Sequence, residues 1–376
     1  MTGSTGAKEV LAAVLRSGEA KFEVETVLIE APAPDQVLVR VVAAGMCHTD
    51  SVARVIGNFP VILGHEGAGV VEAVGSSVVG LRPGDHVVLT FDSCGTCAAC
   101  NHAQPYHCTG FELLNFTGRG RESRASAHLS DGEEVANRWF GQSSFAEYAL
   151  ANERNAVKIA PDVDLEVAGP LGCGIMTGAG CVLNVMGLRP GDSVVVFGAG
   201  AVGLAAVMAA KASGAGQIVA VDLHENRRAL ALELGADRVV DPAAVDSLAT
   251  AVGDGGSFDF SLDTTARAEV MLAATEVIGR PGLAVLVGAG SEPLTLAPPS
   301  LAGKSVTYAY MGNANPQVFI PRLISMWRRG RFPFDRLVQA FPLAEINEAE
   351  AASASGSAIK PVLVMAGELV LAGEKA

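Results

Sequence analysis

The rhythm of apolar and polar positions changes near residue 191. Before it, apolar residues come in short runs broken by turn formers. Val37–Val42 is an extended run of β type, and Gly67–Val74 and His86–Thr90 are similar. Gly75-Ser76-Ser77 and Arg82-Pro83-Gly84-Asp85 supply turns between them. This predicts an irregular β-rich domain whose loops carry the chemistry. Residues 109–140 are polar and rich in Arg, Ser and Gly, and are expected to form a long loop ending at Trp139-Phe140-Gly141. Past 191, strands and helices alternate. Ser193–Phe197 is a β-branched run of the kind buried on both faces of a parallel sheet. A helix-forming stretch, Leu204–Ser213, and the strands Gln217–Val221, Arg238–Val240, Phe258–Leu262 and Leu283–Val287 continue the pattern. It predicts a doubly wound α/β sheet. A helix over Pro316–Phe332 and a terminal strand at Ile359–Val364 follow, and this C-terminal part is expected to return to the first domain.

Composition narrows the function classes. The 376 residues exceed one ordinary core and point to two domains. With 49% hydrophobic and 18% charged residues the chain can bury a large core. A net charge of −13 argues against nucleic acid or an anionic membrane as partner. Residues 1–7 are small and polar and do not form a signal peptide. No apolar run reaches the ~18–20 residues of a membrane span. Seven cysteines is an odd number, with four clustered, which favours metal or catalysis over disulfides and a cytoplasmic location.

Three constellations carry chemistry. Gly198-Ala199-Gly200-Ala201-Val202-Gly203 follows a strand directly, opens a helix, and has Asp222 at the end of the next strand, 19 positions past Gly203. That context marks a dinucleotide site: the first glycine makes the turn, the second admits the pyrophosphate, the third lets helix pack on strand. Asp222 would accept from the ribose hydroxyls and repel a 2′-phosphate, favouring NAD. Arg227 would lie over the ribose or adenine, or help accept a phosphate. Thr264, Val287 and Ala289 follow further strands and are cofactor contacts or simple turn residues. Next, Cys94, Cys97, Cys100 and Cys108 stand in a C-x2-C-x2-C-x7-C pattern. Four thiolates can close a tetrahedron on a structural zinc. An iron–sulfur cluster and disulfides are the alternatives, and the last gap fits neither familiar ferredoxin spacing. Finally, Cys47-His48-Thr49-Asp50 and Gly64-His65-Glu66 place a thiol, an imidazole and carboxylates close together, with Cys173 between glycines as a third ligand. Each also reads as a buried Cys or a hydrogen-bonded core His.

Jointly these motifs resemble the zinc-dependent medium-chain alcohol dehydrogenases over essentially the whole chain. Leu114-Asn115-Phe116 and Phe140–Phe145 look like the aryl-alcohol (benzyl alcohol) and geraniol dehydrogenase branch. The resemblance implies a GroES-like catalytic domain at 1–174 and 313–376, with a structural zinc lobe at about 92–110, and a Rossmann domain at 175–312. It implies two zincs per chain and NAD. Cys47, His65 and Cys173 would be the catalytic zinc ligands, with Glu66 near the metal and Asp50 orienting His65. Thr49 would relay the hydroxyl proton, His48 would lie against the pyrophosphate, Thr177 would touch the nicotinamide, and Lys360 would bind cofactor. Val52 stands where liver-type members carry a His, so the terminal proton acceptor is open between His48 and solvent through the ribose. Phe91, Trp139, Phe140 and Tyr310 are expected at an apolar pocket suited to a flat or unsaturated alcohol. The partner is then a small alcohol or aldehyde, and a homodimer or homotetramer is expected. A glutathione-dependent formaldehyde dehydrogenase, a zincless quinone reductase and a non-catalytic NAD-binding redox sensor are the competing readings.

Overall fold

The computed structural model describes residues 6–120, 125–253, 258–290 and 292–365. They divide into two units: residues up to Cys94, Gly110–Gly172 and from Val338 onward form one, and Gly95–Thr109 with Cys173–Leu337 form the other. The sequence reading closes the second domain at 312. The helix Pro316–Arg328 instead packs on the helix Gly174–Gly180, and so residues 313–337 stay with the second unit.

The first unit is β-rich. One sheet has five strands, in the order Val61–Ile62, Lys8–Leu15, Glu23–Ile29, Ala127–Leu129, Glu134–Val135. The other has seven, centred on the long strand Gln36–Gly45. Gly67–Val74 and Tyr148–Asn152 both pair with that strand, and so does the C-terminal strand Lys360–Val364, antiparallel through Val362↔Gly45. The chain end therefore returns to the first unit, beside the residues that open the metal motif. The described residues of 109–140 form more than a loop. They hold the helix Phe111–Phe116 and a short hairpin, Ala127–Leu129 with Glu134–Val135. The apolar residues of Phe-Glu-Leu-Leu-Asn-Phe bury Phe111 and Leu114 on one face, a pattern too short to outweigh the polar composition around it.

The second unit is a six-stranded parallel sheet in the order Arg238–Val240, Gln217–Val221, Ser193–Phe197, Phe258–Asp263, Ile278–Leu286, Lys304–Tyr308. Ser193–Phe197 is central and buried on both faces, as its unbroken apolar run requires. Val195, Phe197, Val219, Val221 and Phe258 pack one side into a core with Ala274 and Val277. The order reverses between Ser193–Phe197 and Phe258–Asp263, and the crevice at that switch is where such sheets bind ligands. Among the described residues no single helix is long and apolar enough to cross a membrane.

A Cβ at Gly203 would sit 1.8 Å from the Gly198 carbonyl oxygen. Gly203→Ala should therefore force helix and strand apart and lower unfolding free energy by about 1–3 kcal/mol, measured by urea denaturation; wild-type stability would contradict that close packing.

Candidate active site and metal centres

The helix His48–Ile56 begins at Cys47, and Asp50 in its first turn closes a capping box: the Cys47 N–H donates to Asp50 Oδ2 at 3.1 Å. The other carboxylate oxygen, Oδ1, accepts from His65 Nδ1 at 2.8 Å, Trp139 Nε1 at 3.0 Å and the Gly64 N–H at 3.3 Å. An ionised carboxylate only accepts, so the His65 proton is on Nδ1 and Nε2 presents a lone pair. Nε2 is buried without a hydrogen-bond partner. Burial disfavours a charged ring, but the charges of Asp50 and Cys47 outweigh it and hold His65 well above its ordinary pKa range. The pocket calls for positive charge at Nε2.

The other ligands surround that atom. One donor atom each from Cys47, His65, Glu66 and Cys173 lies within 4.8 Å of all the others. Cys173 is bonded to Gly172, whose carbonyl accepts from Thr90 Oγ1 at 2.7 Å, so the residue before the thiol is fixed. Two thiols and one imidazole make the Cys2His zinc set associated with alcohol dehydrogenases, with a fourth position open. An orphaned ring nitrogen between thiols fits that ion. Glu66 is fully buried, and its Oε1 accepts from Lys360 Nζ at 3.0 Å. Burial pushes Glu66 up to about 7 despite the ammonium beside it. The backbone at Gly45 must be glycine here, since a Cβ would lie 2.2 Å from Glu66 Oε2. Lys360, expected at the cofactor, is 3% exposed, and its ammonium donates to Met46 O and Glu66 Oε1.

Aromatic rings wall the histidine. Phe140 holds a left-handed backbone, φ 51°, and its ring stacks on His65 at 4.4 Å between centroids. Phe116 meets Phe140 edge-on at 5.2 Å and Trp139 at 5.7 Å, and Phe111 joins Phe116 to Phe91. Trp139, Phe140 and Phe91 are buried, whereas Phe116 is half-buried. Tyr310 belongs to the other unit, where its ring packs on Tyr308. Phe111 is a wall residue that the sequence reading did not single out, and Phe116 entered it only within the marker Leu114-Asn115-Phe116; their apolar spacing in Phe111–Phe116 was the available signal. Segment 139–145 is laced onto the ligand loop: Gln142 Nε2 donates to His65 O, the Gly67 N–H donates to Gln142 Oε1, and the Ser143 hydroxyl donates to Ile62 O.

Thr49 is half-buried, with its hydroxyl 3.8 Å from Cys47 Sγ, and His48 is exposed at the helix start. Thr177 is buried on the helix Gly174–Gly180. Cys181 is also buried, and burial pushes its thiol up to about 12, so it is an inert core residue. None of the seven cysteines is in a disulfide. Cys94, Cys97, Cys100 and Cys108 bring their sulfurs within 4.8 Å of one another, a closed four-thiolate set with no position left for substrate. His102 and His107 are exposed residues of that lobe.

In the second unit the glycine loop is shaped for a phosphate. Gly198 has φ +89°, and a Cβ there would strike Thr264 Oγ1 at 2.2 Å. A Cβ on Gly200 would meet nothing closer than the tip of Arg227 at 4.0 Å, so this backbone faces open space. The helix Ala201–Ser213 starts there, through Val202 and Gly203, with no side chain capping its first amides. Asp222 Oδ2 accepts from the Ala199 N–H at 2.7 Å, and Arg227 Nη1 is 3.8 Å from the same oxygen. Arg227 Nε is buried with no hydrogen-bond partner. Thr264, Val287 and Ala289 follow the carboxyl ends of neighbouring parallel strands. The loop, the uncapped helix end and Asp222 together fit a dinucleotide.

Comparison with known proteins gives the same picture. The family model for the alcohol dehydrogenase GroES-like domain matches residues 33–162, and that for zinc-binding dehydrogenases matches residues 201–326. A geraniol dehydrogenase of Castellaniella defragrans is 46% identical over 363 residues, 94% of this chain and 97% of that protein. An alcohol dehydrogenase zinc-binding domain protein from Burkholderia ambifaria superposes with a TM-score of 0.93 at 44% identity, covering 96% of this chain and all of that one. Benzyl alcohol dehydrogenase from Acinetobacter calcoaceticus superposes with a TM-score of 0.91 at 40% identity, with 96% and 100% covered. One closed and one open ligand set should give two zincs per chain by elemental analysis, and Cys100→Ser should leave about one. Asp50→Asn should weaken the more labile zinc roughly 10–100-fold in chelator competition; unchanged affinity would remove Asp50 from the site. With ligand sets, glycine loop and near-full-length relatives in agreement, the chain belongs to the zinc-dependent medium-chain alcohol dehydrogenases, built from a GroES-like domain and a Rossmann domain.

Proposed function

We propose that this dehydrogenase reversibly oxidises a primary aromatic or allylic alcohol to its aldehyde, with NAD as hydride acceptor. The observation that carries the reading is the ring wall of Phe140, Trp139 and Phe116 against the ligand His65. Flat, unsaturated substrates pack well on such rings, and each edge-to-face aromatic pair is worth roughly 0.5–1.5 kcal/mol beyond area burial. Relatives named for geraniol and benzyl alcohol support the same substrate class. A glutathione adduct would instead need cationic wall residues.

Zinc held by Cys47, His65 and Cys173 would supply a Lewis acid for the substrate oxygen. The protein's own residues do the rest. Thr49, one helical position from the exposed His48 and close to Cys47 Sγ, accepts the hydroxyl proton and passes it outward. Val52 offers no acceptor on the next turn, so His48 or the cofactor ribose with solvent takes the proton. Asp222 receives the ribose hydroxyls, and its charge favours NAD over NADP. The uncapped start of Ala201–Ser213 receives the pyrophosphate. A cytoplasmic location is part of the proposal, since the cysteines serve metal and core rather than disulfides. So is a homodimer or homotetramer: the edge strand Lys304–Tyr308 has no strand on its outer side among the described residues, and light scattering would give the mass.

Two measurements test this reading. kcat/KM for benzyl alcohol and geraniol should exceed that for ethanol at least about tenfold, and NAD should be preferred to NADP; a clear ethanol preference would reject the substrate class. Thr49→Ala should slow alcohol oxidation by more than about tenfold, and near-normal turnover would reject the relay.

A further inference from the structure

The wall residue Trp139 is tied to the metal site by more than proximity. Its indole N–H donates to Asp50 Oδ1 at 3.0 Å, the same oxygen that accepts from His65 Nδ1 at 2.8 Å. All three side chains are buried, with Trp139 1% and Asp50 5% exposed, so water does not compete for that oxygen. Among the described residues four donors reach Asp50: the Cys47 N–H on Oδ2, and the Gly64 N–H, His65 and Trp139 on Oδ1. Among these four, Trp139 alone comes from outside the ligand-bearing segments. Its position is fixed in turn, because the Trp139 N–H donates to the Ser143 hydroxyl, which donates to Ile62 O three residues before His65.

We infer that Trp139 is a positioning residue for the zinc ligand His65, acting through the oxygen of Asp50 that the indole and the imidazole share. An indole N–H on Oδ1 draws charge from the carboxylate and weakens its pull on the His65 proton. His65 then stays a neutral imidazole, a weaker donor than an imidazole polarised toward imidazolate, and the metal retains more of its Lewis acidity. The same residue forms part of the substrate wall, through its ring contacts with Phe116 and Phe140. One side chain thus links the shape of the alcohol pocket to the strength of the ion that polarises the alcohol. This rests on Cys47, His65 and Cys173 being a zinc site.

The test is Trp139→Phe, which keeps an aromatic ring and removes the N–H. Zinc-loaded and cobalt-substituted forms of the full chain are compared with wild type, with Phe116→Leu as a second variant that alters the same wall without touching Asp50. In Trp139→Phe the full charge of Asp50 falls on His65, so the labile metal should leave to a chelator at least about threefold more slowly, and the cobalt d–d bands should shift. kcat should fall more than KM rises. Phe116→Leu should change KM with unchanged metal release and cobalt spectrum. Faster release in Trp139→Phe would mean that only packing was damaged, and it would overturn the inference, as would an unchanged spectrum and release rate. Wild-type protein that takes up no cobalt beyond the four-cysteine lobe would instead remove the underlying reading of the zinc site.

Discussion

The Asp50 carboxylate is the interaction on which the first unit's site depends. It caps the helix that begins at Cys47, holds the loop at Gly64, and fixes the tautomer of His65. A buried carboxylate is costly unless its lone pairs are filled. Here the donors come from Cys47 on its own helix, from Gly64 and His65 on the next loop, and from Trp139 far along the chain, so satisfying the carboxylate holds Cys47 and His65 together. Removing it would leave His65 free to turn, and two thiols without a third ligand.

Glu66 and Lys360 make the opposite kind of contribution. Burying such a pair brings little stability, while losing one partner leaves a stranded charge at roughly 3–5 kcal/mol. The pair spans nearly the whole chain, since Lys360 is on the strand that returns to Gln36–Gly45. It fixes the charge beside the ligand cluster, and Gly45 gives way so that the carboxylate fits. In the second unit the same economy applies to glycines: Gly198 turns, Gly203 packs, and Gly200 leaves the space that a phosphate would take.

The sequence was most legible where chemistry depends on local spacing. The glycine loop, Asp222 and the four-cysteine lobe sit within short windows, and their geometry follows from peptide dimensions. Strands such as Ser193–Phe197 were legible because burial on both faces demands an unbroken apolar run. The bond from Lys360 to Glu66 was not legible, because the two stand nearly three hundred positions apart and no local pattern encodes their pairing. The helix Phe111–Phe116 was hidden by the polar residues around it, and with it the place of Phe116 as the half-buried ring of the wall. Trp139 was legible as a bulky apolar residue, but the destination of its N–H was not, because it depends on the left-handed turn at Phe140 and the bond to Ser143. The division near 313–337 likewise follows from packing of Pro316–Arg328 rather than from composition.

The central claim is that Asp50 keeps the proton of His65 on Nδ1 and leaves Nε2 to the metal. Nitrogen-15 histidine NMR of the zinc-loaded protein tests it most directly. The account requires an exchange-protected Nδ1–H resonance from His65, shifted downfield by its carboxylate acceptor, and a metal-bound Nε2. A His65 protonated on Nε2, or on both nitrogens, would contradict it.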